Sequence, residues 1–173
     1  MQIRHLQNKD SKGLLALLDQ SYDEVKANPD LGEALRLKRP SRRRALEWFR
    51  YLYNDSIRKG DCIYYVAVEN GRIVGLCYAM KNDAPDSERS HVGTLGIRIA
   101  PGWRLKGLGT KLVKEVLKES RGKFDIVDVD IMSINKGSEA LFKKLGFKRW
   151  GMAPGHVKRG KRYIDLEYMY LKL

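Results

Sequence analysis

The stretch Ile97-Arg98-Ile99-Ala100-Pro101-Gly102-Trp103-Arg104-Leu105-Lys106-Gly107-Leu108-Gly109-Thr110 decides how this chain is read. A strand ends at Pro101, a tight turn follows, and a helix begins around Gly107. Helix starts leave backbone N–H groups unpaired and carry partial positive charge, so they suit phosphate. Gly107 and Gly109 have no Cβ, which lets a diphosphate come close to those amides. Arg104 and Lys106 add charge beside them. The helix is amphipathic, with Leu108, Leu112, Val113, Val116 and Leu117 inward and Lys111, Lys114, Glu115 and Lys118 toward water. Alone, Arg-x-x-Gly-x-Gly fits either a phosphate site or a tight turn that caps a helix. It lacks the third glycine of a dinucleotide fingerprint and the Gly-Lys-Ser/Thr of a P-loop, which disfavours ATP and NAD.

Outward from this segment, the hydrophobic period alternates between strand and helix. Toward the N-terminus, Ile63–Val68 and Ile73–Met80 are rich in β-formers, and Asn70-Gly71 between them predicts a primed hairpin turn. Gln2–Leu6 alternates like a short strand. Asp10 or Ser11 can cap a helix built on Leu14, Leu15, Leu17, Leu18, Tyr22 and Val25, ended by Pro29. Ser41 is an N-cap for a second helix whose buried face is Ala45, Leu46, Phe49, Leu52, Tyr53 and Ile57, closed by Gly60. His91–Ile99 reads as a strand. Toward the C-terminus, Phe124–Met132 is a strand, Asn135–Leu145 a short helix closed by Gly146, and Phe147–Met152 and Arg162–Leu171 two last strands. The segments at 81–90 and 153–161 read as loops. This order predicts one α/β domain over residues 1–173, with strands and helices interleaved around a mixed sheet.

Composition sets outer bounds. The 173 residues are enough for one domain with a real core. No apolar run approaches the roughly 20 residues that span a bilayer. Residues Met1–His5 lack the basic start and apolar core of a signal peptide, so a cytoplasmic location is expected. Cys62 and Cys77 lie in apolar strands and read as small buried hydrophobes rather than as a disulfide or a nucleophile. With three scattered histidines, no metal ligand set forms. The formal net charge of +13 implies an anionic partner, or a thermophilic source.

Ile99-x-Pro101-x-x-Arg104-x-x-Gly107-x-Gly109, opening an amphipathic helix, resembles the acetyl-CoA motif of the GNAT superfamily of N-acetyltransferases. Asn135, followed by Ala140-Leu141-Phe142-Lys143-Lys144-Leu145-Gly146-Phe147, is similar to that family's second motif. The order and spacing of the two motifs fit, and the resemblance covers nearly the whole chain. It implies a GNAT-like α/β/α sandwich around a central mixed, mostly antiparallel sheet of about seven strands, with four helices.

The resemblance also assigns a site. Coenzyme A would lie where strand 91–99 splays from strand 124–132. The backbone of Ile97 and Ile99 would pair with the pantetheine arm, and the amides of Leu105, Lys106, Gly107, Leu108, Gly109 and Thr110 would take the pyrophosphate, with Arg104 beside them. Asn135 would bond the thioester end, or cap its helix, or both. Members of the family move acetyl directly to an amine, which needs a base, because a protonated amine is not a nucleophile. Asp130, five residues before Asn135, matches the base of bacterial ribosomal-protein alanine acetyltransferases; its other reading is a solvated or ion-paired carboxylate. Glu88 and His91 are weaker candidates. Many relatives carry a tyrosine at position 142 that protonates the leaving thiolate, and Phe142 cannot, although its ring can pack on the cofactor. Ser138, Tyr168 and Tyr163 are the substitutes, in that order, or solvent serves.

The acceptor amine, in a small molecule, peptide or protein, is set by the early helices and the loops at 81–90 and 153–161, with a lean toward a protein or peptide. The basic run Arg36–Arg44 suits an anionic acceptor or is a solvated helix start. Two other functional classes stay open: a catalytically weak acyl-CoA sensor, suggested by Phe142, and an RNA- or ribosome-associated module, suggested by charge. A homodimer is a possible assembly of the chain.

Overall fold

A computed structural model describes residues 1–32, 38–81 and 87–173. Seven strands form one sheet in the order β1-β2-β3-β4-β5-β7-β6. They are β1 Gln2–His5, β2 Cys62–Glu69, β3 Arg72–Lys81, β4 Val92–Ile99, β5 Ile126–Met132, β6 Lys148–Arg159 and β7 Arg162–Lys172. The helices are α1 Ser11–Ala27, α2 Arg42–Tyr51, α3 Leu108–Ser120 and α4 Lys136–Lys144. β4 and β5 run parallel, and every other neighbouring pair is antiparallel. This is the mixed, mostly antiparallel GNAT-like sheet that the motifs implied. No helix among the described residues is long and apolar enough to cross a membrane.

Local chemistry explains most element boundaries. Asn70 and Gly71 both take positive φ, 48° and 72°, so the β2–β3 turn twists with its strands. Ser41 caps α2 by accepting the Arg44 N–H. α2 then loosens into a π-helical segment, Leu52–Ile57, which keeps Phe49, Leu52 and Ser56 buried. All five apolar positions predicted to face inward on α3 are buried. Asp10 directly precedes α1, but its carboxylate does not cap that helix. It accepts from the Gln7 amide at 2.8 Å and from the Arg4 guanidinium, fastening β1 to the helix.

β2 and β3 are buried almost continuously, as a sheet with two covered faces requires, and successive side chains enter opposite layers. Val127, Val129, Ile131 and Met169 join the main core with α3 and Phe142, while Met132, Ile164 and Leu166 form a second cluster on the opposite face. Cys62 and Cys77 are buried free thiols. Burial pushes Cys62 up to about 12 and Cys77 higher still, which fits the small-hydrophobe reading and not a nucleophile.

The expected 153–161 loop is largely strand. β6 continues to Arg159 and pairs with β7 as far as Arg162. Pro154 and Gly155, poor strand formers by type, sit where the ladder register shifts between Ala153 and Val157. The Gly155 N–H, at positive φ, donates to Asp165 Oδ1 at 2.8 Å. The long hairpin also reaches the segment after α1. Arg159 donates to the Pro29 and Leu31 carbonyls, and Arg162 pairs with Asp30.

Candidate active site

β4 and β5 pair over only three residues, Val92–Thr94 against Ile126–Asp128, and then separate. The last rung is reinforced by the Thr94 hydroxyl donating to Asp128. Beyond it the backbone of β4 alternates in what it satisfies. Ala100 N–H donates to Val74 of β3, so the even-numbered residues of β4 bond to β3 while Ile97 and Ile99 turn their amides into the gap. The Ile99 carbonyl is taken by Arg104 Nε at 2.9 Å. The result is a V-shaped opening in the middle of the sheet, lined by extended backbone.

The open end of the V meets the N-terminus of α3. Between Ala100 and Leu108 the chain coils through Gly102, Leu105 and Gly107, all at positive φ. Gly107 is the N-cap residue at φ 79°, where a Cβ would be strained although space around it is open. Gly109 serves a different need. A Cβ there would lie 3.3 Å from Leu141 and 3.4 Å from Ile97, so the bare position lets α3 settle against β4 and α4. Among the described residues, the amides of Leu105 through Thr110 have no hydrogen-bond acceptor. Six successive free donors at a positive helix end suit a diphosphate.

Arg104 fastens this loop. Its Nη atoms grip both oxygens of Glu24 in α1, at 3.0 and 2.9 Å, while its Nε holds Ile99. It therefore orients the turn by bidentate contact in addition to placing charge near it. The Lys106 ammonium stands 6.0 Å over the Trp103 ring. Leu105 is 99% exposed at the loop tip.

A cavity of 1120 Å³ joins the V to the α1–α2 face of the sheet. Many of the residues singled out by motif line it: Ile97 and Ile99 from β4; Arg104, Leu105, Gly107, Gly109 and Thr110 from the turn and α3; Asp130 from β5; Asn135, Ser138 and Phe142 around α4. Lys106 and Leu108 flank the turn without lining the cavity. Asp130 is exposed to it, on the same strand face as Asp128. Asn135 does what a cap does, accepting from Ser138 N–H at 3.0 Å, and its Nδ2 also donates to the Gly32 carbonyl at 2.8 Å.

Several expected donors and bases are elsewhere. Tyr168 sits directly across from Asp130 in the β5–β7 ladder, but its ring stacks on Trp150 at 5.3 Å and does not line the cavity. Tyr163 is exposed on the β6–β7 hairpin under Lys158. His91 and Glu88 are exposed before β4 begins, outside the cavity. Phe142 is 1% exposed and packs edge-on against Phe147 at 5.0 Å, so it is core that also closes the inner wall. Of the three hydroxyls considered as proton donors, Ser138 alone borders the cavity.

Residue-by-residue reading missed the opposite wall. Tyr64 and Tyr78 stack at 5.3 Å and both line the cavity, as do Tyr22 and Trp48 from the helices. Burial pushes both phenols above their ordinary range, Tyr64 most strongly, while Arg98 nearby partly offsets the rise. The strand alternation Leu76, Tyr78, Met80 was a usable signal, since it puts these residues on one face. The basic run divides. Arg39 turns back to Asp19 and Asp23, Arg43 pairs with Glu47, Arg44 borders the cavity, and Arg36 lies outside the described residues. Among the described residues no group of metal-ligating side chains forms.

Known proteins share this framework. The solved ribosomal-protein-alanine N-acetyltransferase from Brucella melitensis superposes with a TM-score of 0.80 at 24% identity, covering 100% of both chains. A phosphinothricin acetyltransferase from Sinorhizobium meliloti, solved in complex with acetyl-CoA, gives 0.81 at 21% identity over 99% of this chain and 88% of that one. In sequence, the L-amino acid N-acetyltransferase AaaT of Escherichia coli (strain K12) is 26% identical over 106 residues, 60% of this chain and 64% of its own length. The chain spans between 41% and 64% of the length of the curated relatives it matches. The sequence model of the acetyltransferase (GNAT) family matches residues 29–147. Covering the turn, the split strands and both motifs, that match together with the fold shows that the chain belongs to the acetyltransferase (GNAT) family.

Proposed function

We propose that this chain is an N-acetyltransferase that moves acetyl from acetyl-CoA directly to a primary amine, with Asp130 as general base. The observation that carries the reading is the continuity of one cavity from the free amides at the start of α3, along the gap in the sheet, to the Asp130 carboxylate. A diphosphate on the amides of Leu105–Thr110 sets one end of the cosubstrate, and the outward backbone of Ile97 fixes the arm as an added strand would. The thioester then lies near Asp130, at the mouth facing α1 and α2.

Asp130 takes a proton from the incoming ammonium, through one water where its shorter side chain does not reach, and the free amine attacks the thioester carbon. Nearby donors stabilise the oxyanion. The lean is toward a peptide or protein amine, and α1 and α2, which would set the acceptor, both line the cavity. A second reading, a weakly active acyl-CoA-binding domain, is favoured by one observation: the side chain at 142 has no hydroxyl and is locked in the core.

A purified sample should gain thermal stability with acetyl-CoA, because a ligand that binds only the native state raises stability by mass action. It should release free thiol when amines are supplied. Stabilisation without thiol release from any amine in a broad panel would select the second reading, and no stabilisation would remove both.

A further inference from the structure

Phe142 cannot protonate the departing sulfur; Ser138 is the hydroxyl that α4 keeps at the cavity, and the opposite lip of the gap carries another. Tyr78 stands in β3 directly across from Gly96 of β4, and its ring covers that glycine. A Cβ on residue 96 would lie 2.5 Å from the Tyr78 hydroxyl oxygen, so the position is glycine because the phenol occupies its side-chain space. Gly96 and Asp130 each lie two residues past the last rung of the β4–β5 ladder, and so stand level on the two lips. Tyr78 and Asp130 project to the same face. Met80 pairs with Thr94, whose side chain bonds Asp128, and 78 and 130 follow in the same alternation. Both line the cavity, and the Tyr78 hydroxyl makes no hydrogen bond to any described residue.

We propose that Tyr78 is the proton donor of the transfer, giving its phenolic proton to the thiolate as the carbon–sulfur bond breaks. The proposal rests on the transferase reading. Asp130 first passes the ammonium's proton on to cavity water; the carbon–nitrogen bond then forms as the carbon–sulfur bond breaks, and the amine's second proton goes to Asp130. The sulfur leaves as a thiol with the proton of Tyr78, and the phenolate regains one from Asp130 through cavity water. The sum is amine plus thioester giving amide plus thiol, with both side chains restored. Burial keeps the phenol protonated until the thiolate forms.

The test is Tyr78→Phe, which keeps the ring and its stack on Tyr64. With acetyl-CoA, kcat should fall about 100-fold while acetyl-CoA affinity and acceptor KM stay within about twofold. The decisive readout is the leaving group. With S-acetyl para-nitrothiophenol as a minimal donor, whose thiolate is stable without a proton, parent and variant should react at matching rates. An equal loss with both donors would assign Tyr78 to packing or acceptor positioning and overturn the proposal, as would an undiminished kcat. If Tyr78→Phe melts early, a ring-fluorinated tyrosine at 78 replaces it. Its more acidic hydroxyl should move the alkaline limb of kcat to lower pH, and an unmoved limb overturns the proposal. A parent that binds acetyl-CoA but acetylates no amine overturns the transferase reading instead, and Tyr78's role with it.

Discussion

The two walls of the cleft are made by opposite means. The cofactor wall comes from one continuous stretch, 97–110, and offers mostly main chain: outward strand amides, then the free N–H groups of a helix start. The wall proposed for the acceptor is assembled from α1, α2, β2, β3 and β5, and offers side chains, chiefly Tyr22, Trp48, Tyr64, Tyr78 and Asp130. A wall built of backbone constrains few residue types tightly, because it needs glycine where φ is positive or space is short. A wall built of side chains is free at each position and specific only in combination. The first can stay fixed while the second is rewritten.

The contrast can be broken by substitutions that should affect one wall alone. The largest expected effect is Asp130→Asn, which should lower kcat/KM about 1000-fold with acetyl-CoA affinity unchanged in calorimetry. Retained activity would remove Asp130 as base. Next, Gly107→Val combined with Gly109→Val should weaken acetyl-CoA binding about 100-fold, because a left-handed residue and a 3.3 Å gap are both lost. Undiminished affinity would mean the amides of this turn do not hold the diphosphate. Gly96→Ala drives a methyl into the Tyr78 ring, at an overpacking cost of about 1–3 kcal/mol in melting experiments. It should reduce turnover about 10-fold through the acceptor wall, though residue 96 lies on the cofactor strand. The smallest effect is Leu105→Gly, which relieves a left-handed leucine and should raise stability by about 1 kcal/mol, or about 2–4 °C in Tm.

The same contrast explains what was legible in the sequence. The α3 stripe, the Asn70–Gly71 hairpin and the Ile97–Thr110 turn depend on neighbours in the chain, and spacing revealed them. Tyr78 over Gly96 depends on the β3–β4 register, 18 positions apart, and no local pattern encodes it. Tyr168 shows the same difficulty from the other side. It read as a substitute proton donor, and the register does set it across from Asp130, but the strand partner Gly151 leaves its ring free to lie on Trp150. The segment at 153–161 read as a loop, whereas β6 continues through Pro154 and Gly155, poor strand formers by type that an irregularity in the ladder absorbs. Arg104 read as a charge for phosphate. Its bidentate hold on Glu24, 80 residues earlier, required the fold to be known.

The early parting of β4 from β5 has a consequence for how solvent hydrogen enters the protein. Along a single strand, Gly96 and Arg98 face a bonded neighbour while Ile97 and Ile99 face a void, so amide exchange should alternate residue by residue, slow then fast. Most sheets exchange from their borders inward; this one is porous at its centre. Filling the void with an extended thioester arm should erase the alternation at Ile97 first, giving a site-resolved signal of loading that needs no acceptor and no turnover.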